Sequence, residues 1–443
     1  MRLIWRHLVQ DVDGLRQSFR RFALAIGIRF FSDALLFTLL IAAPVVVVYS
    51  GRALPVVLLI ALLFTILYGV TFAFEGRGVT IAEGTAFALN PFSLPYWGVS
   101  VLALILYAGA SSYWAIEPEF AAEQALQMLI SFLVVVVILR LLPPLDEDRL
   151  RYTAPFGIAL ASTILIVELA TPGILRPLIY GSNPAYLNRS MVTVSLLMWP
   201  ALALTSGRFA TAQKFGLVAL VAAAVIVSSS LSSMLALAAG LLVMALAFVS
   251  NRLAALGVLA VTAAAFVAMP MTAKLVSDLA FETGVDTMVD ISTERRLEIW
   301  EAFSRAALER PIFGWGLEAS RYFGLRDLPG VDWTIGPVHH PHNPILQIWV
   351  ELGAIGVALA AIAMIGMILG IGHMPASRRP YAYGAATATL AISTVSHGAW
   401  QSWWICLLLL LVALFNIREE YPSDAENTAG ESAQVTPETT KPA

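Results

Sequence analysis

From residue 31 to residue 416 the chain is a succession of long apolar runs with mostly short polar connections, and that pattern limits the fold more than any motif does. A bilayer core about 30 Å thick is crossed by a helix of about 20 apolar residues. Runs of that kind fall near 31–50, 54–74, 92–114, 123–142, 152–171, 190–206, 215–230, 232–250, 253–271, 344–372, 380–398 and 400–416. Helices satisfy their own backbone hydrogen bonds in lipid, and these runs are too long for barrel strands. The expectation is an all-α fold, a polytopic membrane helical bundle of about twelve transmembrane helices with one large external loop. Composition agrees, with 58% hydrophobic residues, 13% charged and a mean hydropathy of +0.78. The net charge of −3 is spread over the connections and says little about partners; membrane lipids are expected, and no nucleic acid. Cys406, the single cysteine, lies in the last apolar run, which excludes an internal disulfide and fits a small buried hydrophobe.

The connections orient the bundle. Residues 1–29 carry Arg2, Arg6, Arg16, Arg20, Arg21 and Arg29 among apolar positions, as an amphipathic helix on the cytoplasmic surface would. With that end inside, Arg140, Arg149, Arg151, Arg208, Lys214, Arg252, Arg378 and Arg379 all fall on the cytoplasmic side, as the positive-inside rule asks. Helices one to nine then occupy 30–271, the external loop 272–343 and the last three helices 344–416. The tail 417–443, rich in Glu, Thr, Ser, Pro and Ala, is expected to be a disordered cytoplasmic segment. No cleavable leader is expected, since the start lacks a basic stub followed by a short apolar core. A short external connection breaks the charge rule, because Arg176 and Arg189 lie between residues 170 and 191. Either they anchor headgroups or they meet an anionic ligand.

Three histidines stand where the longest polar segment meets an apolar run, at His339, His340 and His342. Asn343 suits a helix N-cap and Pro344 the first helical position, where a missing N–H costs nothing. His342 then sits just outside a helix start, and imidazole exchanges a proton near neutrality. No metal is expected, since no cysteine is near and the spacing gives no helical His-x-x-x-His pair. Upstream, residues 293–310 read as an amphipathic helix with Leu297, Trp300, Phe303 and Ala307 on one stripe and Arg295, Arg296 and Arg305 on its flanks. Guanidinium groups there either hold phosphate or pair with Glu294, Glu298 and Glu301. Pro311-Ile312-Phe313-Gly314-Trp315-Gly316 reads as a tight turn before a phosphate loop. Among charges inside runs, Asp33 suits the interface, while Glu168 and Glu351 lie toward external ends; Gln347 and Glu351 share a helix face.

The ordered set Arg296-x-x-x-Trp300, Pro311-x-x-Gly314-x-Gly316, His342-Asn343-Pro344-x-Leu346-Gln347 and Glu351-Leu352-Gly353-x-x-Gly356 resembles the O-antigen ligase and polymerase superfamily over about residues 185–405. The hairpin His397-Gly398-Ala399-Trp400-Gln401-Ser402-Trp403-Trp404 is similar to its ligase branch. The resemblance implies a multi-pass protein of the bacterial inner membrane with a periplasmic catalytic loop. It implies transfer of a glycan, without metal or cofactor, from an undecaprenyl-diphosphate carrier to a hydroxyl on lipid A core; a polymerase with a glycan acceptor is the nearest alternative. By carry-over Arg296 grips the diphosphate and His342 is the base, with Arg295, Gln347, Glu351 and His340 as further substrate-binding candidates. Family members often carry an arginine in a Ser-Arg-Ser-like run where this chain has Ser230-Leu231-Ser232-Ser233. Arg189, with Arg176 in reserve, is expected to supply that contact. A transporter is the alternative of another class, but the halves show no repeat and no paired Gly/Pro-broken spans. An intramembrane protease would need a histidine beside the serines at 228–230 and 232–233, and the sequence assigns none.

Overall fold

The computed structural model describes residues 26–74, 94–142, 145–171, 174, 187–284, 291–325, 333, 335–417 and 419–420. The expected N-terminal amphipathic segment, apart from residues 26–29, and nearly all of the tail lie outside these residues, as does Arg176. Thirteen helices carry the described chain. In order they are α1 Ile26–Tyr49, α2 Leu54–Phe74, α3 Tyr96–Ala110, α4 Pro118–Leu141, α5 Glu147–Ala170, α6 Asn188–Leu204, α7 Ala210–Ser228, α8 Leu231–Val249, α9 Asn251–Thr283, α10 Ile291–Glu309, α11 Pro344–Ile371, α12 Arg379–Val395 and α13 Ser402–Phe415.

Nine of these are long and apolar enough to cross a membrane, which makes the chain a polytopic helical membrane protein. Three more of the expected runs, near 190–206, 380–398 and 400–416, form the shorter helices α6, α12 and α13, of 17, 17 and 14 residues. Their burial explains the weaker signal. Most of α6 is enclosed by protein, Trp199 completely, so its neighbours are other helices and not lipid tails. The helix α9 runs 33 residues, well past the expected end at 271, before Gly284 caps it with φ +70°. Its extension is held against α10, where Ser277 Oγ donates to the Leu297 carbonyl at 2.9 Å.

Close helix approach in lipid depends on small residues, because no hydrophobic force separates helix from tail. Here α8 and α12 meet at Gly240 and Gly384 with the Trp199 ring laid across both. A Cβ on Gly240 would stand 2.4 Å from Trp199 Cζ2 and 2.9 Å from the Gly384 carbonyl oxygen. Gly240→Val therefore overpacks the joint, and we expect a loss of about 1–3 kcal/mol. The check is the thermal midpoint of the purified protein in detergent, with Gly257→Val, which meets nothing within 4 Å, as the unaffected control.

Alternating helices gather the connections at two ends. One end holds residues 50–53, 111–117, 229–230, 310–325, 335–343 and 396–401, cross-linked by Ser111 Oγ accepting from Leu317 N at 2.9 Å and by Ser230 Oγ donating to Asn188 Oδ1 at 2.6 Å. At the other, Arg149 pairs with Asp33 and Arg378 donates to the Ile417 carbonyl at 2.7 Å. Asp33, whose position suggested an interfacial role, is held in that ion pair.

Candidate active site

The site is assembled around a break in α11. The helix starts as its sequence asks, with Asn343 Oδ1 accepting from Leu346 N at 3.0 Å and Pro344 in the first turn. Nine residues on, Gly353 leaves helical geometry at φ +60°, ψ −163°. The Pro311–Gly316 turn docks into that break mainly through main-chain bonds, with the Tyr107 hydroxyl 3.3 Å from the Leu352 carbonyl and 3.4 Å from that of Phe313. Trp315 N donates to Val350 O at 2.9 Å, Gly316 N to Glu351 O at 2.8 Å and Ala354 N to Pro311 O at 2.8 Å. Cβ atoms are excluded on both sides. One on Gly353 would lie 2.3 Å from Ile312 O, and one on Gly314 2.4 Å from Glu351 O. The amides of Trp315 and Gly316 are therefore committed to carbonyls, as the tight-turn reading had it.

Glu351, just before the break, is fully buried and holds four donors. Its carboxylate accepts from Glu318 N at 2.6 Å, Ser320 N at 3.4 Å, Gln347 Nε2 at 2.9 Å and Trp400 Nε1 at 2.6 Å. Gln347 Oε1 in turn accepts from Ala399 N at 2.8 Å. Both side chains are occupied in tying α11 to the 310–325 segment and to the 396–401 connection. They position the site from beneath.

Above them lie the histidines. Trp300 Nε1 donates to Pro341 O at 3.0 Å, which fastens α10 to the histidine turn. Arg296 precedes Trp300 by four residues and shares its face of α10, so the same bond brings Arg296 to His342. His342 N donates to His340 Nδ1 at 3.2 Å, and the two rings stand 4.3 Å apart. His340 Nε2 faces the Gln401 amide at 3.1 Å. Arg189 enters from the start of α6, its guanidinium 6.0 Å over the Trp403 ring. Burial, and then the Arg296 charge, lowers the His342 pKa to about 4; burial, followed by the charges of His342, Arg321, His339 and Arg189, lowers that of His340 to about 3. Both rings are neutral near pH 7, and a neutral imidazole can take a proton.

Backbone strain collects at the same end. The non-glycine residues with positive φ among the described ones are Ser229, Glu318, His342 and His397, at +52°, +61°, +53° and +63°. Such conformations persist where surrounding structure imposes them, and they cluster at functional sites. Beneath the site, an apolar cavity of about 210 Å³ opens under Pro344, Ile345 and Trp400. It shares Trp97, Met364 and Leu408 with a second cavity of about 600 Å³ toward the opposite end.

The structure thus brings together His342, Arg296, His340 and Arg189, with Gln347 and Glu351 below. It leaves Arg295 out: that side chain is exposed and bonded to Glu298 at 2.5 Å and to the Ile335 carbonyl at 2.6 Å. Glu168 is buried and accepts from Tyr49 Oη at 3.5 Å and Ile174 N at 3.1 Å. Leu231 turns outward, 61% exposed, while Ser230 of the same run bonds Asn188, the neighbour of Arg189. Sequence reasoning quoted His397 within a hairpin but gave it no role. Its signal was a histidine in a short connection between two apolar runs.

Residues 216–361, which contain Arg296, the Pro311–Gly316 turn, His342 and the break, match the family described as O-Antigen ligase. The chain is also similar to Rickettsia proteins provisionally named polysaccharide ligase. That of Rickettsia prowazekii is 31% identical over 131 residues, 28% of this chain and 32% of the relative. For Rickettsia conorii the identity is 27% over 278 residues, 61% and 67% of the two chains. For Rickettsia bellii it is 24% over 388 residues, 83% and 94%. The first alignment spans only about a third of that relative's length, the last nearly all of it.

Proposed function

We propose that this chain, which belongs to the O-antigen ligase family, transfers a glycan from an undecaprenyl-diphosphate carrier to a hydroxyl of lipid A core at the periplasmic face of the inner membrane, with both termini cytoplasmic. The observation that carries this reading is the convergence of a neutral imidazole, His342, with the Arg296 and Arg189 charges at one strained end of a membrane bundle. The chemistry needs those parts. A bond forms between the acceptor oxygen and the anomeric carbon while the bond from that carbon to the phosphate oxygen breaks. The electron pair leaves with the diphosphate, and the hydroxyl proton passes to His342. Guanidinium groups offset the charge growing on the leaving diphosphate, and forked arginine donors match phosphate oxygens. Apolar space under Pro344 and Trp400 offers a course for part of the isoprenoid chain.

The resting basicity of His342 fits an ordered reaction. Burial and then the Arg296 charge lower it, and a bound diphosphate answers that charge, so the imidazole becomes a better proton acceptor once donor is present. Displacement by a single attacking oxygen inverts the anomeric configuration.

The test is transfer by the purified protein in liposomes supplied with the lipid-linked glycan and, in parallel, lipid A core or free glycan. We expect product on lipid A core with inverted anomeric configuration, and loss of that product by at least about 100-fold in Arg189→Ala, in line with the effect of removing an oxyanion-stabilising donor. Retained configuration rules out the single displacement, and full turnover in Arg189→Ala removes that arginine from the site.

A further inference from the structure

His397 is built into this site and left with a bonding capacity that the protein does not use. It lies in the connection between α12 and α13, 8% exposed, its ring edge-on to Trp403 at 4.7 Å. Its Nε2 is buried and has no hydrogen-bond partner. A buried polar nitrogen without a partner is costly, and the connection also holds His397 at φ +63°, so two costs meet at one residue. Burial, and then the charges of Arg189, His340, His342 and Arg296, lower its pKa and keep its imidazole neutral. One nitrogen of a neutral imidazole is bare and the other carries a proton. The protein supplies Nε2 with neither a donor nor an acceptor. In the tautomer that carries the proton on Nε2 the missing partner is an acceptor, and the acceptor suited to a pocket of two guanidiniums is an anionic oxygen.

We propose that His397 is a diphosphate-binding residue, its Nε2–H donating to an oxygen of the lipid-linked diphosphate. The proposal rests on the functional reading above and adds a third contact to those of Arg296 and Arg189. Arg189, stacked over the same Trp403 ring, is the long side chain next to it, and its swing onto a phosphate gives the oxygen access to His397.

The experiment measures binding of undecaprenyl diphosphate to the full chain in nanodiscs, together with the thermal midpoint without ligand. His397→Phe keeps a ring against Trp403 and removes the nitrogen. We expect its affinity to fall about 10-fold or more, the scale of a hydrogen bond to a charged group, with a thermal midpoint no lower than wild type. A purely structural histidine would leave affinity unchanged. His397→Gly, which takes the positive φ without strain, is the second variant and is expected to lose affinity likewise if the aromatic replacement does not fold. Wild-type affinity in either folded variant, with affinity lost in Arg296→Ala, overturns the His397 proposal and leaves the functional reading standing. Unchanged affinity in Arg296→Ala as well removes both.

Discussion

Alanine at position 342 is expected to lower glycan transfer by about 10²- to 10⁴-fold, the usual contribution of a positioned base. The loss is one of chemistry and not of folding. His342 is half-buried, its ring touches His340, and among the described residues its ring nitrogens bond no protein group. Replacing it therefore breaks no internal link, and a glycine there would also relieve the positive φ. The base works when neutral, so transfer at limiting donor falls as pH drops through the lowered pKa of about 4. At saturating donor the diphosphate opposes the Arg296 charge and the same decline begins at higher pH. Rate profiles taken in both regimes test this directly: coincident acid limbs would mean that Arg296 and the donor do not meet at His342.

Removing the Glu351 carboxylate has the opposite character. Glu351→Ala strips four donors of their acceptor in a fully buried place, and each unsatisfied group costs about 1–3 kcal/mol, so a loss on the order of 4 kcal/mol is expected after relaxation. The 310–325 segment and the 396–401 connection lose their common anchor together. Transfer then fails because the histidines and arginines are no longer held in one place, and the thermal midpoint falls with it. Glu351→Gln retains an accepting oxygen but turns an amide nitrogen toward donors, so it should lie between. A wild-type midpoint in Glu351→Ala would show that other contacts hold this end of the bundle.

Much of the membrane architecture was readable in the chain because lipid imposes one solution on long apolar runs. The short runs at 215–230 and 232–250 form α7 and α8, both long and apolar enough to cross, whereas α6 and α12 stop at 17 residues each. The Asn343 cap and the stripe of α10 that carries Trp300 were also legible, because both are local features. Less local facts were not. Nothing in the run from Pro344 announces that Gly353 breaks it, for the break exists only where the Pro311 turn supplies replacement partners. The uses of Gln347 and Glu351 were hidden for the same reason, their partners Ala399, Trp400 and Glu318 lying tens of residues away. Arg295 and Arg296 look alike in sequence, yet a rotation of one residue on the helix sends one to Glu298 and the other to the histidine turn.

The union of the Pro311 turn with Gly353 joins the stretch bearing Arg296 to the stretch bearing His342 through peptide groups, with the Tyr107 hydroxyl bridging the two sides. Such a seam is indifferent to side-chain identity apart from Tyr107 and the glycines it needs. Mutational drift in the surrounding loops can therefore reshape what the cleft accepts while the spacing between guanidinium and imidazole stays constant. A lineage could exchange one sugar for another without rebuilding the reaction centre.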